Sequence, residues 1–385
     1  MKVIRLKAKN WRNFQDVDIS LQDITFLIGP NASGKSNFID IFRFLHDIVV
    51  IGLQKAITTR GGMSKIRCLS ARRYPDIEIE IHLGERYDQS PTWIYSLRIM
   101  QEGRRKHQHL VRSEVIVKEG KRILNRPDDK DKSDREKLSR THLEQMQVND
   151  AFRPIFQYFE TFKYFHVIPQ LIRNPQAFSG PGIPEDPYGQ HFLEYLAKTN
   201  PKLRKNRLDK IQDALRIAVP RLQELSFVKD ELGFPHLEAH YDHWRPKAGK
   251  QREDQFSDGT LRLIGLLWSI LDTRDSLLLL EEPELSLNSG IIQNLVPIIY
   301  EIQKKKTKPS QVVVSSHSWE LLSYSGIRGD EIIIFNPTHE GTDIKLASDI
   351  REIRKLLQSG MLPADAIFPV ISPKNIGTQL TLLEF

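Results

Sequence analysis

Hydrophobic positions along this chain follow two spacings. An unbroken apolar stretch at residues 24–28 and a run of four leucines at 277–280 show no alternation, the pattern of central strands buried on both faces. After the first stretch, Phe38, Ile41, Phe42, Leu45 and Val49 recur at helical spacing and predict a helix over 37–50. Alternating segments near 77–83, 93–100 and 110–118 predict an antiparallel sheet. Residues 143–162 read as a helix with Pro154 as its start or a kink. Further helices are predicted near 190–198 and 203–219, with strands after them, and then from Thr260 through the apolar TLRLIGLLWSIL. Beyond Phe335 come a short hairpin-like strand and a helix near 349–358. Two stretches lack any apolar period: 125–140, mixed in charge, reads as a mobile loop or solvated face, and 180–187 (GPGIPEDP) as a linker or surface loop.

Chemistry sits at the junctions of these elements. Between the strand at 24–28 and its helix stands GPNASGKS, residues 29–36, a phosphate-binding loop. Gly29 and Gly34 let backbone N–H groups turn inward around phosphate oxygens, and the helix N-terminus adds the positive end of its dipole. Lys35 is placed to reach the β and γ phosphates, and the Ser36 hydroxyl can meet Mg²⁺. Asn31, Ala32, Ser33 and Asn37 complete the nucleotide-contacting set. The leucine strand ends in Glu281 and Glu282. Alternation sends their side chains apart, so Glu281 can stand beside the metal while Glu282 accepts a proton from a water attacking the γ phosphate. Ser257, Asp258 and Gly259 open the helix at 260, where a serine and free N–H groups make a second anion site. An isolated His317 follows the apolar VVV of 312–314.

In this order the motifs resemble an ATP-binding-cassette ATPase of the SMC and RecF type. FSDGT (256–260) is similar to that family's signature motif, LLLLEEPE (277–284) to its Walker B strand with the catalytic glutamate, and the SSHS segment around His317 to its switch-histidine loop. Residues 285–288 stand at its D-loop, with Asn288 where close relatives tend to have histidine. IRLKAKNWRNFQDVDI resembles the opening strands and puts Arg12 at the nucleotide-contacting arginine. Gln145 and Gln147 are both candidates for the glutamine loop that meets the metal, with Gln145 preferred. The resemblance implies an α/β P-loop head with a mixed β-lobe, a parallel-sheet core with helices, and cofactors ATP and Mg²⁺. Four segments are expected: 1–60 with the phosphate loop, 61–140 as an antiparallel insertion, 141–250 as a helical lobe, and 251–385 with signature, Walker B, D-loop and histidine. It also implies a homodimer or higher even oligomer, in which the signature of one copy caps the nucleotide of another.

The interval where SMC-type chains carry long heptad arms offers only short helices broken by Pro and Gly, so a head without arms is expected. Relatives of the OLD type append a TOPRIM nuclease after this head, and the residues beyond 335 leave no room for one. Compact chains of this build resemble ATPase subunits of bacterial anti-phage defence, with a separately encoded effector, often a nuclease. Two other functions stay open: a DNA repair or recombination ATPase, and an ATP-binding scaffold without turnover. Lysines and arginines number 56 against 49 acids, a net +7, with clusters at Arg72 and Arg73, 104–107, 202–207 and 304–306. The excess leaves nucleic-acid contact open, with no base-reading motif. One cysteine, Cys68, allows no intrachain disulfide. No leader and no apolar run near the ~18 residues of a membrane span is seen, so a cytoplasmic protein is expected. His166 reads as a core residue, and Trp244 and Arg245 as a packed aromatic beside a surface arginine.

Overall fold

A computed structural model describes residues 1–71, 75–101, 109–175, 186–242 and 249–371. Arg72, Arg73, the 104–107 cluster, Trp244, Arg245 and most of the 180–187 loop lie outside the described residues. The chain opens with the hairpin β1 (Lys2–Trp11) and β2 (Phe14–Ser20). It continues through β3 (Ile24–Ile28) into α1 (Lys35–Ile51) and the short α2 (Leu53–Thr58) and α3 (Met63–Ile66). Strands β4 (Ile77–Gly84), β5 (Trp93–Gln101), β6 (His109–Lys118) and β7 (Lys121–Arg126) join the hairpin in one sheet ordered β2-β1-β4-β5-β6-β7. Every neighbouring pair in it is antiparallel. Ile77, Ile79, Ile81 and Leu83 alternate inward along β4, as the period-two spacing requires.

Next come α4 (Asp129–Ser133), α5 (Arg153–Glu160), β8 (Lys163–Phe165), α6 (Pro169–Arg173), α7 (Phe192–Lys198) and α8 (Pro201–Ala218). A three-stranded sheet of β9 (Leu222–Lys229), β10 (Pro235–Tyr241) and β11 (Lys250–Arg252) precedes α9 (Asp258–Asp272). Then follow β12 (Leu277–Glu281), α10 (Ser289–Lys305), β13 (Gln311–Ser316), the hairpin β14 (Ile332–Thr338) and β15 (Gly341–Leu346), α11 (Arg351–Gln358) and α12 (Pro363–Ile371). The core sheet is ordered β15-β14-β3-β13-β12-β8, with only β15 antiparallel to its neighbour. Among the described residues no helix exceeds the 18 residues of α8, so the head carries no long arm.

The unalternating leucines are explained by two cores. Leu277 and Leu279 face a cluster with α1, α5 and the antiparallel sheet, whereas Leu278 and Leu280 face α8, α9 and α10. Val313 and Val312 divide in the same way. A strand between two helical layers has no polar face to alternate with.

Three expectations are corrected. Of residues 143–162 only Arg153–Glu160 is an α-helix, with Pro154 in its first turn, because proline lacks the N–H that would continue a helix through it. The turn before it is held by side chains instead: Glu114 of β6 accepts from the His142 and Leu143 backbone N–H groups at 2.7 and 3.1 Å, and Glu144 from Thr141 Oγ1 at 2.9 Å. Residues 125–140 are largely exposed, as the solvated-face alternative has it, but they form defined structure and not a mobile loop. Arg126 is buried and donates to Glu114 (3.1 Å) and Asp131 (2.8 Å), and α4 begins with a capping box from Asp128. Charge pairing orders this stretch, which is why no apolar period marked it. The segment 141–250, read as a helical lobe with strands leading to the signature, has those strands as the small three-stranded sheet, but it also supplies the unforeseen β8 to the core sheet.

Removing one partner of a buried pair leaves the other charge without compensation, at about 3–5 kcal/mol. Arg126→Ala is therefore expected to lower the unfolding free energy by about that amount in urea denaturation. A loss of under about 1 kcal/mol, the range of exposed pairs, would mean that Arg126 does not hold this segment.

Candidate functional site

The phosphate loop turns sharply after β3. Ala32 (φ 60°) and Gly34 (φ 101°) both take left-handed backbone conformations, which bend successive N–H groups toward one concavity. At Gly34 a side chain is excluded, since a Cβ would lie 2.2 Å from Asn13 Nδ2. Helix α1 starts directly behind it without a side-chain cap, whereas Asn200, Ser257 and Asn288 cap α8, α9 and α10. The first N–H groups of α1 are thus left for an anion. Lys35 is only 6% exposed, and its Nζ donates to the carbonyls of Gly29 (2.8 Å) and Pro30 (3.0 Å). Burial lowers its pKa, against the raising influence of Glu282, Glu284 and Glu281.

Sheet geometry then brings the acids to this loop. Glu281, the last residue of β12, accepts a hydrogen bond from Ser36 Oγ on α1 and another from Tyr164 Oη at 2.7 Å. A hydroxyl and a carboxylate in contact at the helix start are the oxygen donors a magnesium site needs. Glu282 leaves the strand with φ 43°, its N–H donating to the Ser315 carbonyl at 3.0 Å. Its Oε1 lies 3.2 Å from His317 Nδ1. The two acids part company as expected, but the left-handed turn at Glu282 also enters, beyond strand alternation. His166 is half-buried, with Nδ1 3.1 Å from the Glu281 carbonyl.

Glu284 was not singled out from the sequence. It is 4% exposed and accepts from Ser316 Oγ (2.5 Å) and the His317 N–H (3.3 Å), so it fixes the backbone that carries the histidine. Burial pushes its pKa up. The third acid of EEPE was its only signal. Asn13 and Thr342 were missed altogether. Asn13 Nδ2 and Thr342 Oγ1 both donate to the Ser33 carbonyl, at 3.1 and 2.8 Å, and Asn37 Nδ2 donates to Asn13 Oδ1 at 2.7 Å. Two hairpins, β1–β2 and β14–β15, therefore clamp the phosphate loop from outside. No local pattern announces a contact spanning more than three hundred residues.

Other candidates are placed differently. Arg12 (φ 50°) is bound to Asp40 of α1, with Nη2 at 2.6 Å, which sets it on the flank of the loop helix. Asn31 is exposed on the loop and Ser33 is buried within it. Gln145 donates to the Thr141 carbonyl at 2.8 Å, within its own turn, and Gln147 is exposed. Ser257 caps α9 through the Thr260 N–H at 3.2 Å. Asp258 is held by Arg173 (2.7 Å) and Gln170 (2.8 Å) of α6. Gly259 packs on the 285–288 segment, where a Cβ would lie 2.6 Å from the Ser286 carbonyl. Asn288 caps α10 through the Ile291 N–H at 3.0 Å. Among the described residues, no hydrogen bond or ion pair joins Ser257, Asp258 or Gly259 to the phosphate loop.

An uncapped helix start, a glycine cradle, a buried lysine and a serine–glutamate pair fit a magnesium-bound nucleoside triphosphate. Fold and site together define a P-loop nucleotide-binding domain with the fold of an SMC head. The chain belongs to the family described as "AAA domain, putative AbiEii toxin, Type IV TA system", whose model matches residues 24–323. Its fold is similar to an SMC head bound to the C-winged helix domain of ScpA, at 14% identity over 90% of this chain and 97% of that one, with a TM-score of 0.51. An SMC head domain from Thermotoga maritima aligns at 13% identity over 90% and 99% of the chains, with a TM-score of 0.48. No curated protein matches the chain in sequence. Among the described residues no helix is long and apolar enough to cross a membrane.

Gly34→Ala is expected to weaken ATP binding at least about tenfold in calorimetry, because both the left-handed backbone and Asn13 oppose the methyl group. Thr342→Val removes one hydrogen bond to the loop, about 1 kcal/mol, and is expected to weaken binding about fivefold. Unchanged affinity in both variants would show that the outer clamp does not shape the loop.

Proposed function

We propose that this chain hydrolyses ATP with Mg²⁺ at a site completed by a second copy, and that the dimer gates a separately encoded effector, a nuclease, in bacterial anti-phage defence. One observation carries the reading. The phosphate loop, Glu281, Glu282 and His317 converge at one sheet edge, while the signature residues 257–259 share no bond with them among the described residues. The start of α9, which shares no bond with its own chain's loop among the described residues, would then meet the nucleotide held by a second copy.

Ser36 and Glu281 would hold Mg²⁺, which when bound neutralises charge on the β and γ phosphates. Lys35 would exchange the Gly29 and Pro30 carbonyls for phosphate oxygens, recovering hydrogen bonds for a buried ammonium. Glu282 takes the proton of the attacking water, and His317, at 3.2 Å, orients its carboxylate. Ser257 of one copy offers its hydroxyl to the γ phosphate held by the other. Asp258 acts by tying the start of α9 to α6, since both its oxygens are already engaged there. Loss of the γ phosphate removes the charge both copies grip, and the dimer opens.

The family's description, which carries the toxin label on the family itself and places it in a type IV toxin–antitoxin system, supports the defence role. A head without long helices among the described residues has no means of spanning distant DNA, which favours control of another protein.

Glu282→Gln is expected to keep ATP affinity within about twofold and to lower kcat by at least about a hundredfold, the usual weight of a general base. With ATP this variant should run as a dimer in light scattering. Adding Ser257→Arg should return it to a monomer while ATP still binds. Turnover unaffected by Glu282→Gln would remove that glutamate from the chemistry, and an intact dimer with Ser257→Arg would remove the capping role of the signature.

A further inference from the structure

A groove of about 890 Å³ runs between α8, α9 and α10, on the face of the core sheet away from α1, and none of the residues placed at the nucleotide site lines it. Its floor is apolar: Ala214, Leu271, Ile298 and Ile302 pack on the core with one side and stay half-open to the groove. Its rim is basic. Lys210, Arg274, Lys305, Lys306 and Lys308 stand against only Asp213 and Glu301. Glu301 is already paired with Lys305 at 3.2 Å and Asp213 with Arg216 at 3.5 Å. Among the described residues no carboxylate pairs with Lys210, Arg274 or Lys308.

Lys306 anchors the rim to the end of α9. Its Nζ donates to the Ile270 and Thr273 carbonyls at the end of α9, at 2.5 and 2.6 Å. Burial first, and the neighbouring Arg274, push its pKa down to about 8, with Asp272 opposing and Arg207 and Lys163 adding to the fall. Two basic clusters far apart in sequence, 202–207 and 304–306, thus meet around the C-terminal end of α9.

A phosphate backbone would use the rim and leave the apolar floor unburied. A helix with an apolar stripe and acidic flanks uses both, with hydrophobic burial supplying affinity and charge supplying orientation. The walls, helices of 18 and 17 residues, extend roughly 25 Å, room for four to five turns of a partner helix.

We propose that this groove docks an acidic amphipathic helix of the effector protein. The proposal rests on the gating reading for the identity of the partner, and on the groove alone for its chemistry. It also gives the ATP state a route outward, because α9 lines the groove near its C-terminal end and carries the signature at its N-terminal end.

The test measures fluorescence anisotropy of the full chain with three labelled probes: an 18-residue acidic amphipathic helix, the same helix with lysine in place of glutamate, and a 20-base-pair DNA duplex. The acidic helix should bind at least tenfold more tightly than either other probe. Ile298→Asp, and separately Lys305→Glu with Lys308→Glu, should each weaken it at least tenfold while ATP affinity and ATP-dependent dimerisation remain those of the unaltered chain. Preference for DNA, no binding of the acidic helix, or binding indifferent to both variants would overturn the groove assignment. Because these probes require neither ATP nor the effector, such a failure leaves the gating reading standing, and a failure of gating leaves the groove result standing.

Discussion

Everything at the nucleotide site depends on the parallel register of three strands. Because β3, β13 and β12 run in one direction side by side, their C-terminal ends share an edge, and whatever follows each strand must meet there. The phosphate loop follows β3, the acids end β12, and Ser316 and His317 end and follow β13. Ser36 and Glu281 touch although 245 residues separate them, and Glu282 reaches His317 across 35. A slip in register would undo every one of these contacts together.

Such an edge concentrates charge, and the surrounding structure is organised to hold it. Three carboxylates and a buried lysine lie within mutual influence, with burial lowering the lysine and raising Glu284. Each is held by a neighbouring group: Lys35 by loop carbonyls, Glu281 by Tyr164 next to the sheet edge, Glu282 by His317, Glu284 by Ser316. The clamp of Asn13 and Thr342 on Ser33 does the same for the loop backbone. Preorganisation of this sort makes the site ready for a phosphate chain before one arrives.

Much of this was legible in the residues, and the parts that were not have a common cause. Leu277 to Leu280 showed a strand buried on both sides, and GPNASGKS showed strand, loop and helix, because these signals lie within a few residues. What escaped depended on distant partners. Residues 143–149 looked helical, yet Glu114 on another strand captures the backbone N–H groups of His142 and Leu143 where they begin. The charged stretch at 125–140 is solvated over most of its length, but its order was hidden because Arg126 finds Glu114 and Asp131 only in three dimensions. Glu284 was visible as a third acid, but its burial was not. Asp258 sat in the right motif, while its engagement by Arg173 required α6 to fold against α9.

In the proposed function a single chain holds one half of a working site and the signature of a second copy supplies the other. The ATPase rate per chain measured across dilution tests it most directly. A shared site requires a rate per chain that rises with protein concentration and saturates as dimers fill, approaching zero when chains are solitary. A rate per chain that stays constant down to concentrations where light scattering finds only monomers would contradict it.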